Sequence, residues 1–109
     1  MANVFKNKVI ASIGTSPQGY TVPSNATATV IGMAVANRTA STITVDIEVV
    51  DTSATVTAYL VKSAIIAAGG SFIAVGGDQK VVLEQTDIIR VTSSTATSAD
   101  VVISYMETT

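Results

Sequence analysis

With 109 residues, the chain has room for one hydrophobic core and not for two. It is 48% hydrophobic and 13% charged, too apolar for disorder, yet its apolar runs are short and none approaches the roughly 20 residues of a membrane-spanning helix. The net charge is −2, the basic residues Lys6, Lys8, Arg38, Lys62, Lys80 and Arg90 are scattered, and cysteine and histidine are absent; together these exclude a nucleic-acid stripe, a disulfide framework and thiolate or imidazole metal sites.

The segment VFKNKVIASIG, residues 4–14, predicts a strand centred on Val9–Ile13, with residues 1–8 as an extended N-terminal arm or a frayed end. The opening MANVFKNKVIAS has no long apolar stretch of a secretory signal, so synthesis in a cytoplasm is expected. Thr15-Ser16-Pro17-Gln18-Gly19 reads as a turn, because Pro fixes φ and Gly relaxes it. Tyr20-Thr21-Val22 is a short extended piece ended by Pro23, and Ser24-Asn25-Ala26 is the next loop. Residues 27–37, TATVIGMAVAN, form an apolar strand expected to be buried on both faces in its middle, with Gly32 marking a bulge or a close contact.

Residues 42–50 carry the clearest period. Ile43, Val45, Ile47 and Val49 point one way and Thr44, Asp46 and Glu48 the other, so one face lies in the core and one in water. A hairpin loop at Asp51-Thr52-Ser53-Ala54 leads to a return strand from Val56 to Lys62. From Ile65 to Val91, three Val- and Ile-rich runs are separated by Gly69-Gly70-Ser71, Gly76-Gly77-Asp78 and Gln85-Thr86-Asp87, which predicts strand–turn–strand–turn–strand in one antiparallel sheet. A polar loop at 93–99 precedes a last strand from Asp100 to Met106, with Val101, Ile103 and Tyr105 on one face, and Thr108-Thr109 as a frayed end. The expected fold is all-β: a single antiparallel β-sandwich over residues 1–109, jelly-roll-like, with eight to nine short strands.

Residues able to carry chemistry are few. Without histidine, carboxylate pairs are the remaining catalytic option, and Asp46 with Glu48 share a strand face. Ordinary charges on a solvated sheet account for them. Asp78 and Asp87 lack the dense acidic spacing of a calcium loop, and turn chemistry accounts for both. Gly69-Gly70-Ser71 has neither the lysine nor the following helix of a phosphate loop. Asn25-Ala26-Thr27 and Asn37-Arg38-Thr39 match the glycosylation sequon without a secretion signal beside them. The aromatic residues Phe5, Tyr20, Tyr59, Phe72 and Tyr105 are too few for a glycan platform and read as core or interface fillers. No enzyme, metal or cofactor is expected. The positive mean hydropathy predicts apolar surface hidden between subunits as well as in the core.

Taken together, Ile13-Gly14, Tyr20-Thr21-Val22-Pro23, the run Val30 to Asn37, the alternating Ile43 to Val50, Tyr59-Leu60-Val61-Lys62, Ile66 to Ser71, Gln79 to Glu84, Asp87 to Val91 and Ser104-Tyr105-Met106-Glu107 form a familiar pattern. Through it the chain resembles small structural proteins of tailed-bacteriophage virions, over nearly its whole length. Ala67-Ala68 stands where that group usually has a proline before the Gly-Gly pair. The resemblance implies a β-sandwich on the virion, assembled in the host cytoplasm and binding the major capsid protein or other virion proteins. Three roles follow: a capsid decoration (cement) protein, the leading one; a tail or neck subunit; and a surface receptor- or glycan-binding module. A homo-oligomer is expected, with a trimer favoured.

Overall fold

A computed structural model describes residues 2–76 and 79–109. Among them the chain forms nine strands and no helix: β1 (Asn3–Ile13), β2 (Gln18–Thr21), β3 (Thr27–Asn37), β4 (Ile43–Asp51), β5 (Val56–Ile66), β6 (Ser71–Val75), β7 (Val81–Leu83), β8 (Ile88–Ser93) and β9 (Ala99–Thr108). Sheet A has the order β1-β9-β3-β6, with β7 also on β3, and sheet B the order β2-β8-β4-β5. All pairings are antiparallel. β6 and β7 lie end to end along β3, against residues 33–36 and 28–30, and fill one position between them. Two four-position sheets with this order make a jelly roll.

Alternation explains which side of each strand is covered. Ile43, Val45 and Ile47 of β4 are buried, as are Val101, Ile103 and Tyr105 of β9, while their neighbours face out. They meet Ile13, Val22, Val30, Val35, Leu83, Ile89 and Val91 in one core between the sheets.

The stretch Ile65–Val91 is not one sheet. β5 and β8 belong to sheet B, β6 and β7 to sheet A, and none of these strands pairs with the next. The Gly69-Gly70 turn carries the chain across the open end of the sandwich. Gly70 N donates to Ala67 O at 2.8 Å, Gly69 takes φ 68°, and Gly70 O accepts from Asn37 N of the opposite layer. A two-residue period says which side of a strand is apolar, not which sheet it joins. Gly77 and Asp78 lie outside the described residues.

Four further expectations change. Gln18 and Gly19 belong to β2, paired with Val91 and Arg90, because Gly19 lets β2 lie directly on β8. The chain end is tied down, since Ala2 and Thr109 exchange both backbone hydrogen bonds. β3 is buried on its inner side only; its outer residues Thr29, Gly32 and Ala34 are half-buried, because no third layer covers sheet A. Residues 3–8 run as the first part of β1 against β9, with their side chains exposed.

Both long edge strands are interrupted. The register of β1 shifts between Ile10 and Ile13, and that of β5 opposite Val45–Glu48. At each break a serine adopts positive φ and a carboxylate on the adjacent strand accepts its N–H. Ser12 N donates to Asp100 Oδ1 at 2.9 Å and Ser63 N to Asp46 Oδ1 at 2.7 Å. Such bulges blunt an edge against strand addition.

Candidate functional site

Residues directly opposite in an antiparallel pair project to the same side of the sheet. The register therefore composes the outer face of sheet A. One row crosses four strands as Val9, Val102, Ala34 and Ile73. A second runs Phe5, Met106, Thr29 and Val82. Between them lie Asn7, Ser104 and Gly32. Exposure is 74% for Phe5, 71% for Ile73 and Val82, 64% for Val9 and 45% for Val102. A shallow groove of about 310 Å³ runs along Gly32, Ala34, Ile73, Val102 and Ser104. Among the described outward residues of these strands, the single charged group is Asp100, at one end and paired with Arg38 at 3.3 Å. Scattered apolar side chains are normal on any surface, but a contiguous uncharged face is not.

The outer face of sheet B is mixed: it carries charges beside the exposed Tyr59 and Ile65, the latter 76% exposed. Asp46 and Glu48, the carboxylate pair singled out in the sequence, do share this face, but each has its own partners. Asp46 takes the Ser63 N–H and lies 3.7 Å from Lys62 Nζ, while Glu48 Oε1 accepts from Arg90 Nε at 3.1 Å. Lys62 also lies over the Tyr59 ring, 4.7 Å from its centre. The two carboxylates stand on an open sheet, each beside its own cation, which suits ion pairing rather than proton transfer.

A carboxylate on the inner side of β9 holds the two sheets together at one end. Glu107 is buried; Tyr20 Oη of β2 donates to its Oε2 at 2.6 Å and Lys6 Nζ of β1 to its Oε1 at 2.9 Å. The Tyr20 ring stacks on Tyr105, with centres 4.0 Å apart. The Tyr20 hydroxyl and the Lys6 ammonium hold the Glu107 carboxyl below the usual carboxylate range. Burial pushes the Tyr20 phenol well up, reinforced by its bond to Glu107, and raises Tyr105 as well. Ionised Glu107 is thus an acceptor in a closed network. Its place was readable: carrying the Val101, Ile103, Tyr105 alternation one step further puts Glu107 in the core, where a carboxylate requires partners.

The end of the sandwich near the β4–β5 hairpin gathers Asp51, Glu84 and Asp87, whose carboxylate oxygens lie within 4.8 Å of one another. Local turns engage two of them. Asp87 accepts from the N–H groups of Glu84 and Thr52, and Asp51 from Ser53 Oγ and Ala54 N, the Ser53 hydroxyl holding the Asp51 carboxyl below its usual range. An open cleft of about 500 Å³ adjoins, lined by Ser24, Thr27, Ser53, Glu84, Gln85 and Thr86. Asn37 of the second sequon is buried, and its amide donates to Ser41, Ile66 and Ala67 carbonyls, so it organises a turn and is closed to glycosylation. Of the aromatic residues, Tyr20 and Tyr105 fill the core, whereas Phe5 and Tyr59 stand exposed. Compared with known proteins, the chain matches no protein-family model and no curated protein.

Proposed function

We propose that this protein is a non-enzymatic structural subunit of a tailed-bacteriophage virion, most specifically a decoration (cement) protein held on the capsid exterior. The observation that carries the reading is the outer face of sheet A, broad, apolar and almost free of charge on so small a chain. A contiguous apolar face of that kind marks a surface that another protein covers. The jelly-roll strand order is one that viral capsid domains also use, an analogy of fold that raises the reading without carrying it. Its action is mechanical. Burial of protein surface across joints between major capsid subunits raises the heat or force needed to part them.

Quantitative mass spectrometry of purified particles tests this. Copy numbers comparable to the major capsid protein, with a fall in capsid melting temperature when the protein is stripped, are the expected result. A few copies confined to isolated tails would move the subunit to the tail or neck. Absence from particles would end the reading. A glycan-binding role on the virion surface is favoured by one observation, the hydroxyl- and carboxylate-lined cleft at Ser24, Thr27, Ser53 and Glu84; titration with host-surface polysaccharide decides it.

A further inference from the structure

We propose that the outer face of sheet A is a self-association surface, and that its occupant is a second copy of this chain packed face to face about a two-fold axis. The inference rests on the structural-subunit reading only in taking that face as one that protein covers.

The arrangement of the face selects the partner. Its two rows lie two residues to either side of Asn7 on β1 and Ser104 on β9; on β3 the bulge between Val30 and Gly32 sets Ala34 two residues and Thr29 three from Gly32. A two-fold axis along that middle row lays one apolar row over the other: Phe5 meets Val9, Met106 meets Val102, and Val82 meets Ile73. Large side chains are thereby set against smaller ones, and Ser104 and Gly32 meet their own mates where little bulk stands in the way. Such an interface is isologous and self-complementary.

Charge points the same way. An uncharged partner is required, since an ion placed on this face loses its water without gaining a counter-ion. A second copy satisfies that by construction. The same rotation carries Arg38 and Asp100, at one end of the face, away from their mates and over the end bearing Asn3 and Thr108, so no like charges meet.

The size is sufficient. Four strands about 4.8 Å apart, over some nine residues at about 3.4 Å each, present roughly 600 Å². Two copies then bury roughly 1,200 Å², the lower bound of a specific interface. With β1 and β5 broken by bulges, growth by strand addition is disfavoured and the association closes at two.

The absence of cysteine makes the test clean. Ser104→Cys places a thiol beside the axis, and Thr92→Cys places one on the outer face of sheet B, opposite Asp46. Treatment of the full chain with a short bis-maleimide is expected to give a covalent dimer with Ser104→Cys and monomer with Thr92→Cys. Light scattering is expected to give twice the protomer mass. Ile73→Lys and Val9→Lys, both at exposed positions that leave the core intact, are each expected to halve that mass with an unchanged circular-dichroism spectrum. A mass of one or three protomers, or cross-linking through Thr92→Cys instead of Ser104→Cys, overturns the proposal. A monomer that still occupies particles removes this interface and leaves the virion reading standing. A dimer absent from particles does the reverse.

Discussion

At the scale of single residues, Glu107 shows how a charge is kept inside a β-sandwich. Its two oxygens are taken by Tyr20 and Lys6 from two other strands, so the carboxylate links β9 to both β2 and β1. Glu107→Gln keeps the shape but removes the charge, weakening both bonds, and is expected to cost about 1–2 kcal/mol in urea denaturation at neutral pH. The pH dependence has a definite sign. Because Glu107 titrates below its ordinary value in the folded chain, the unfolded chain binds more protons between the two pKa values, and stability rises with pH there. Its contribution is complete above the unfolded-state value of about 4.3 and is lost as pH falls through the folded value. Wild-type stability is therefore expected to drop more steeply below about pH 4.5 than that of Glu107→Gln. Tyr20, whose phenol is raised, acts at the other limit: stability is lost as pH climbs above about 10, and Tyr20→Phe flattens that alkaline slope. A different strain sits at Thr55, a β-branched residue at φ 57° where the β4–β5 hairpin turns. Thr55→Gly relieves it and is expected to add about 0.5–1 kcal/mol, read as a higher melting temperature. The burial of Glu107 follows once the alternation is carried one residue past Met106, where the sequence reading ends the strand. Nothing marks Thr55, since threonine is among the last residues to choose for a left-handed position.

At the scale of elements, facing is readable where apolar and polar residues alternate strictly, and partnership is not. The alternation in residues 42–50 and 100–106 predicts the inner faces of β4 and β9 correctly, because a one-residue slip would bury Asp46. The sequence reads half of the four-residue strand β2 as a turn, because glycine after proline is a turn signal in sequence and a close-packing device here. A Cβ on Gly19 would stand 1.9 Å from Ile89 O and 2.6 Å from Arg90 Cα. Gly19→Ala must therefore lift β2 from β8, and with it Tyr20 from Glu107. The expected cost is about 1–3 kcal/mol, with a melting temperature lower by several degrees and a weaker near-ultraviolet tyrosine signal. An unchanged melt and an unchanged tyrosine signal would mean that β2 contributes little to the sandwich. The Ser12–Asp100 and Ser63–Asp46 clamps were invisible for a related reason: a bulge is set by what the neighbouring strand offers, and the bulged strand carries no motif for it.

At the scale of the whole molecule, the apolar surplus was legible as a quantity, but its location was not. The middle of β3 reads as buried on both sides, yet the fold covers one, so much of the surplus falls on sheet A, where Val9, Val102, Ala34 and Ile73 come from four separate strands. No window of sequence contains that row; strand order and register assemble it. A chain that covers this face with its own copy ties its stability to its concentration, because unfolding then releases two chains. Each tenfold rise in protein concentration is expected to stabilise the folded pair by about 1.4 kcal/mol, raising the melting temperature by a few degrees. Val102→Lys places a charge in the middle of the face without touching the core, and its melting temperature is expected to be independent of concentration. Thr92→Lys, on the already charged face of sheet B, is expected to keep the wild-type dependence. Scanning calorimetry over a hundredfold concentration range separates the cases, because a monomeric fold melts at one temperature throughout, whatever the polarity of its surface.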